Sequence, residues 1–294
     1  MQKNIKLSIT IATYNRPQAV IRAIESCFSC KDIPYEIIIW DNHSDPENMR
    51  IVSDYCAKSE CVLRYYYSDY NKGPGGGKNE AWKKSRGEYV FFMDDDAVIV
   101  SDNYFSRLID YMEMHPHVGI AYTTIYEPET GKYYDCEYTY VNAQKETEKI
   151  AFLGGAHIIR RSAVYCENLY PRKTTFGSEE SYASLHIWDN NFQVHKIEDL
   201  IVHHLPEQYN RYLGKERDRA FILSAYAMKK LTYPKLLQPL AYIFFLLHLR
   251  KNNLKYDAFC KEWVASNFCV EDIQRISYSC LFNLAKKFGL LPLI

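Results

Sequence analysis

Three aspartates, Asp94, Asp95 and Asp96, stand side by side in the otherwise apolar run YVFFMDDDAVIV, residues 89–100. Carboxylates this close repel one another, and burying them is costly unless a cation or hydrogen bonds offset the charge. A strand that ends in such a cluster suits a hard divalent cation. Mg²⁺ and Mn²⁺ prefer oxygen ligands and are commonly completed by the phosphates of a substrate. A solvated acidic turn is the plainer alternative. The segment NKGPGGGKNEAW, residues 71–82, adds a second signal, with four glycines in five residues before a helical stretch. Glycines there allow backbone N–H groups to approach an anion, and Lys72 and Lys78 add positive charge. No Gly-Lys-Ser/Thr closes the segment, so it is not a Walker A loop, and its spacing does not fit G-x-G-x-x-G. A flexible turn is the alternative here.

The elements that must position these groups alternate regularly over the first hundred residues. KLSITIA, YEIIIW, CVLRYYY and EYVFFM read as strands, and helices are expected over 17–29, 46–57 and 76–85. Near-continuous apolar strands alternating with helices predict a parallel sheet covered on both faces. Ligands of such sheets bind beyond the carboxyl ends of the strands. The groups at those ends are Thr13-Tyr14-Asn15, Asp41-Asn42, the stretch 69–77 and Asp94-Asp95-Asp96, so four polar clusters converge on one edge. Farther on, GKYYDCEYTYV reads as a strand or hairpin arm, and FLGGAHIIRRSAV as two glycines before a short strand. FGSEESYASLHIW reads as a loop entering a helix, and FQVHKIEDLIVHHL as two short strands. From about Leu213 the chain reads as helical. LLQPLAYIFFLLHL is interrupted by Pro239 and too short to span a bilayer. It is expected to be buried against the main domain or a dimer partner; a peripheral membrane contact, favoured by the following Arg250-Lys251, is the alternative.

The 294 residues include 36 Lys+Arg and 36 Asp+Glu, so the basic excess expected of a nucleic-acid binder is missing. Nine cysteines show no paired metal-ligand spacing, and the lone Cys27-x-x-Cys30 falls at the end of a helical stretch. The N-terminal apolar run is short and mixed with Ser and Thr, unlike a signal peptide. With the odd cysteine count, this predicts a cytoplasmic protein, with the inner face of a membrane as a further station.

SITIATYNRPQAVIRAIES, EIIIWDNHSDP, NKGPGGGKNEAWKKSRGEYVFFMDDDA and GSEESYASLHIW follow one another in that order. Together they resemble the family 2 glycosyltransferases of GT-A fold, over roughly residues 6–204. The resemblance implies an α/β fold of GT-A type. A mostly parallel nucleotide-binding sheet would be flanked by helices, with a small acceptor-side subregion and a C-terminal helical extension. The expected boundaries are a transferase domain over 1–212, its nucleotide-sugar half ending near 100, and the extension over 213–294.

By the same resemblance, Thr13, Tyr14 and Asn15 would line the base pocket, and Asp41 would hydrogen-bond the base. Asn71, Gly73, Gly77, Lys78 and Asn79 would approach the ribose and sugar. Asp94, with Asp95 beside it, would meet the donor, and Asp96 would bind Mn²⁺ or Mg²⁺. An inverting transfer also needs a base that deprotonates the acceptor hydroxyl and help for the departing nucleoside diphosphate. The family's acidic pair at a helix start maps to Glu179-Glu180, with Glu180 as base and Glu179 as its neighbour. The second position is Glu where the family commonly has Asp. An acidic helix start favoured by the macrodipole is the plainer reading of that pair. A histidine of LIVHHL, His203 or His204, would complete the metal site. Adjacent strand residues face opposite sides, so at most one of the two is expected to ligate, the family register favouring His203, and a surface or core histidine is the plainer alternative. Arg211, Arg217 and Arg219 are further candidates, as a diphosphate clamp or a solvated helix face. The implied partners are a nucleotide-diphosphate sugar, UDP-linked before dTDP-linked, and a glycan, polysaccharide or lipid-linked acceptor. A sugar-nucleotide pyrophosphorylase and a catalytically silent nucleotide-binding scaffold are the competing readings.

Overall fold

A computed structural model describes residues 5–28, 33–59, 63–171, 177–206, 214–290 except 268–273, and residue 293; the side chains of 263–267 are also outside the description. The first half is the expected alternation: β1 (Leu7–Thr13), α1 (Pro17–Cys27), β2 (Tyr35–Asp41), α2 (Pro46–Lys58), β3 (Leu63–Tyr67), α3 (Gly73–Lys84) and β4 (Tyr89–Asp94). Then come β5 (Ala97–Ile99), α4 (Tyr104–Met114), β6 (Val118–Glu127), β7 (Lys132–Tyr134), β8 (Thr139–Val141), β9 (Thr147–Lys149) and β10 (Ala156–Arg160). The remainder is α5 (Glu179–Asp189), β11 (Gln193–His204), α6 (Gly214–Thr232), α7 (Gln238–Lys251), α8 (Ala258–Asn267) and α9 (Tyr278–Phe288).

The sheet runs β3-β2-β1-β4-β10-β6-β11-β9-β8, with β5 and β7 paired to β11 and β6. β1 to β4 are mutually parallel, so Thr13 and Asp41 are register partners and Asp94 stands beside Ala12. β10 is antiparallel to both neighbours, and β6 and β11 are parallel again. The strands of the first half are apolar because both faces are covered. Ile9, Ile11, Ile37, Ile39, Phe91 and Met93 pack into one core with Val20, Ala23 and Ile24 of α1 and Phe105 and Leu108 of α4. Trp82 of α3 packs with Val90 and Phe92 on the other face.

Four local expectations change. The glycine-rich stretch is the first turns of α3, which begins at Gly73, and not a loop before a helix. Gly75 explains why: a Cβ there would stand 2.7 Å from the carbonyl oxygen of Pro171, so the helix can lie this close only without a side chain. The segment 193–204 is one strand, interrupted by a register shift between Ile197 and Ile201, and the segment 131–141 divides between β7 and β8. Pro239 opens α7 instead of interrupting it, at a position where a missing N–H costs nothing.

The C-terminal helices share a core with the preceding fold. Tyr182 and Leu185 of α5 pack with Met228, Tyr233, Ile276, Cys280 and Leu284. α7 is only partly buried: Ala241, Phe245 and Leu249 face inward, whereas Ile243 and Leu247 are about half exposed. No described helix is long and apolar enough to cross a membrane.

Candidate active site

The carboxyl ends of β1, β2 and β4 form a connected polar edge. Thr13 ends β1, and its Oγ1 donates to Asp95 Oδ2 at 2.8 Å. Asp95 and Asp96 lie in the turn after β4, both buried. Arg16, between β1 and α1, donates to Asp95 Oδ1 at 3.0 Å and Asp96 Oδ2 at 3.3 Å. The acidic run thus has a protein counterion that sequence reading missed. The signal was available: Arg16 follows the strand that lies parallel beside β4, so its side chain starts from the same sheet edge. Burial pushes the Asp95 carboxyl up to about 7 against the pull of Arg16, and the Asp96 charge adds to the rise.

β11 brings its C-terminal histidines to this edge through pairing with β5, and they alternate as strand neighbours must. His204 Nε2 stands 3.4 Å from Asp96 Oδ1, whereas His203 packs its ring against Tyr126, 5.5 Å between centroids. Of the two histidines, the pleat turns His204, and not the favoured His203, toward the acidic cluster.

Asp94 belongs to a second cluster. Lys78, on α3, is buried, with Nζ 3.5 Å from Asp94 Oδ1 and 3.7 Å from Glu180 Oε1. Burial alone would lower its pKa, but the charges of Asp94 and Glu180 outweigh that and hold the ammonium well above its usual range. Glu180 lies in the first turn of α5, and burial together with the adjacent Glu179 charge raises its pKa, with Lys78 opposing. Glu179 is also buried, and its Oε2 has no hydrogen-bond partner among the described residues. The Gly154-Gly155 turn before β10 closes over both carboxylates: a Cβ on Gly154 would collide with Glu180 Oε1, and one on Gly155 would stand 3.5 Å from Asp94 Oδ2. His157 anchors that turn from below, Nδ1 against Gly154 O at 3.0 Å and Nε2 against Tyr170 OH at 2.6 Å. Burial lowers its pKa to about 3, so the ring is neutral.

Several predicted donor contacts turn inward instead. The Asp41 carboxylate is fully buried, Oδ1 accepting from Ser44 N and Oδ2 from Tyr65 OH, each at 2.7 Å. It holds the turn after β2 and does not face the open edge. Asn79 is also a brace: its amide exchanges two 3.0 Å hydrogen bonds with the Tyr170 backbone. Gly77 packs against Trp40 and Ala12. Asn71 and Gly73 accept from Asn42 Nδ2 at 2.9 and 3.0 Å, so Asn42 ties the entry of α3 to β2. Asn15, at φ 55°, accepts from Asp45 N at 2.7 Å. Tyr14, 38% exposed, Tyr67, 40% exposed, and Tyr70, 62% exposed, leave aromatic faces open at this end. Lys72 pairs with Glu80 and lies over Trp40, away from the carboxylate clusters. Arg219 pairs with Asp257, which places it on the C-terminal helices; Arg211 lies outside the described residues.

Residues 8–167, more than half of the chain, match the family model described as Glycosyl transferase family 2. The chain belongs to this family. Among curated relatives of this family 2 chain is GalNAc(5)-diNAcBac-PP-undecaprenol beta-1,3-glucosyltransferase of Campylobacter jejuni, 28% identical over 113 residues. That match covers 38% of this chain and 37% of the relative, well under two thirds of its length. Two solved structures share the fold. GalNAc-T7 with UDP, GalNAc and Mn²⁺ superposes with a TM-score of 0.65 at 12% identity, covering 99% of this chain and 59% of that one. The mannosyltransferase PcManGT of Pyrobaculum calidifontis, in complex with GDP-Man and Mn²⁺, gives 0.62 at 16% identity, covering 100% and 82%. The architecture of the family 2 chain is therefore the GT-A type, with the mixed sheet described above.

The acidic end of β4 fits a divalent cation. Among the described residues, one guanidinium reaches both buried carboxylates, burial pushes the Asp95 carboxyl up to about 7, and an imidazole stands beside Asp96. Carboxylate with imidazole is a donor set that suits Mn²⁺ at least as well as Mg²⁺.

Proposed function

We propose that this family 2 chain transfers a sugar from a nucleotide-diphosphate sugar, UDP-linked by preference, to a glycan, polysaccharide or lipid-linked acceptor with inversion at the anomeric carbon. The observation behind this reading is the bridge Asp94–Lys78–Glu180 beneath the Gly154-Gly155 turn. It joins the donor-side end of β4 to an acidic helix start and leaves a raised-pKa carboxylate poised as a base.

Asp96 and His204 would hold a divalent metal, which supplies positive charge for the departing diphosphate. Arg16, which already donates to Asp95, would be placed to make paired hydrogen bonds to the phosphates. Tyr14 and Tyr67 are the faces on which a base would stack. Glu180 takes the proton of the acceptor hydroxyl as its oxygen bonds the anomeric carbon and the sugar–phosphate bond breaks; the electron pair leaves with the nucleoside diphosphate. Lys78 keeps Asp94 and Glu180 from repelling each other and orients both. The UDP and Mn²⁺ named with GalNAc-T7 and the undecaprenol-linked substrate of the Campylobacter relative agree with this chemistry. The half-exposed apolar face of α7, ending in Arg250 and Lys251, fits contact with a membrane surface bearing such an acceptor.

The test is Glu180→Gln. Mn²⁺-dependent UDP binding should persist while transfer falls by at least about a hundredfold, the usual range for a general base. Unchanged transfer would remove the base assignment. The wild-type product should be free nucleoside diphosphate, and pyrophosphate would contradict a transferase.

A further inference from the structure

At the opposite end of β6 and β11 from the carboxylates, three imidazoles and one carboxylate converge. His115 caps α4, His117 precedes β6, Glu146 precedes β9 and His195 lies on β11. Ligand atoms of His117, Glu146 and His195 all stand within 4.8 Å of one another. His115 Nε2 is 3.1 Å from Glu146 Oε1 and His117 Nε2 is 3.6 Å from Oε2. We propose that these side chains form a structural zinc site, with His117, Glu146 and His195 as its core ligands and His115 as the fourth.

The spacing is the first argument. Zinc–nitrogen and zinc–oxygen bonds of about 2.0–2.2 Å place tetrahedral ligand atoms about 3.3–3.5 Å apart. The contacts of His115 and His117 with the two Glu146 oxygens, 3.1 and 3.6 Å, lie on either side of that range, and the three core ligand atoms, within 4.8 Å of one another, are close enough to be drawn onto one ion by side-chain rotation. Orientation is the second. His115 Nδ1 lies 2.7 Å from the Tyr111 carbonyl, the hydrogen bond that fixes a ligating imidazole with Nε2 outward. Glu146 Oε2 accepts from Asn142 Nδ2 at 2.6 Å. His195 holds Tyr111 OH at 2.8 Å and Gln193 Oε1 at 2.7 Å; ligation takes one ring nitrogen and leaves the other its present partner.

Burial is the third argument. His195 is wholly buried, so an ion held there would be shielded from water. Imidazole with carboxylate is a zinc donor set, and His117, with 42% of its side chain exposed, leaves an entry path. The ion would pin the β8–β9 hairpin to the sheet, eight residues upstream of the Gly154 turn.

The experiment uses the full chain carrying Asp96→Ala, so that the donor-side metal is not counted. After chelation, reloading with Zn²⁺ and dialysis, bound metal is measured, along with the melting temperature and the visible spectrum of the Co²⁺-loaded protein. The expected result is about one zinc per chain, a raised melting temperature and a tetrahedral Co²⁺ spectrum. Adding His117→Ala, at an exposed position that tolerates change, should weaken zinc binding by more than tenfold and abolish the spectrum. Glu146→Gln should weaken it as well, without loss of circular dichroism. Failure of the chain to retain zinc, or equal retention in the His117→Ala chain, would overturn the site.

Discussion

At the residue scale, Glu180 is where function and stability pull apart. Its carboxyl is buried beside Glu179, and burial with that neighbouring charge outweighs Lys78 and a backbone hydrogen bond, so its folded pKa lies above the unfolded value. The sign follows from linkage. The native state binds the proton more tightly than the unfolded chain, so stability is complete below the ordinary glutamate value and declines as pH rises through the raised one. Glu180→Gln removes that decline. Thermal unfolding of the ligand-free variant should give a higher melting temperature than wild type at alkaline pH, by roughly 2–4 °C for each kcal/mol recovered, and no difference in mild acid. A uniform loss across pH would mean that the charge is better compensated than the geometry indicates. The same raised value places the acid limb of kcat/KM above the range of an ordinary carboxylate, and a pH–rate profile checks it.

At the scale of elements, two glycines decide how closely backbone approaches the site. Gly154→Ala would push its Cβ into Glu180 Oε1. We expect transfer to fall by about a hundredfold, as for a displaced catalytic group, with UDP affinity unchanged; loss of UDP binding instead would place the turn on the donor side. Gly75→Ala meets the backbone carbonyl of Pro171 at 2.7 Å and should cost about 1–3 kcal/mol by overpacking, visible in denaturant unfolding. These contacts mark the limit of what the sequence disclosed. The order of strands and helices up to residue 94 was legible because apolar runs and helical periods are local. The convergence of Thr13, Asp41 and Asp94 followed from parallel pairing alone. The burial of Gly75 and Gly77 under their neighbours was not legible, since a glycine wanted for close packing and one wanted for a loop look alike. The side-chain commitments of Asp41 and Asn79 depend on partners 24 and 91 residues away. Which histidine meets Asp96 turned on pleat register, which the pairing of β11 with β5 fixes and the sequence leaves open.

At the scale of the whole molecule, the sheet separates three tasks. In the proposed function, donor chemistry would sit at the carboxyl ends of β1 and β4 and acceptor chemistry where α5 and the turn before β10 meet them, with the histidine cluster at the far end of β6 and β11. The helices after residue 213 join the acceptor side through the core that Tyr182 and Leu185 share with Met228 and Cys280, so they stiffen the element that carries Glu180. Family membership and fold rest on the match over residues 8–167 and on the superpositions. Donor recognition with a metal is the claim on which the proposed function stands. Its most direct test is thermal unfolding with UDP and Mn²⁺, against Mn²⁺ alone and UDP alone. At a hundred times its dissociation constant UDP should stabilise by about 2.7 kcal/mol, a rise of roughly 5–10 °C. That rise should require Mn²⁺, vanish in Asp96→Ala and His204→Ala, and survive in His203→Ala. A rise indifferent to Mn²⁺, or none with UDP, dTDP, GDP or CDP, would contradict it.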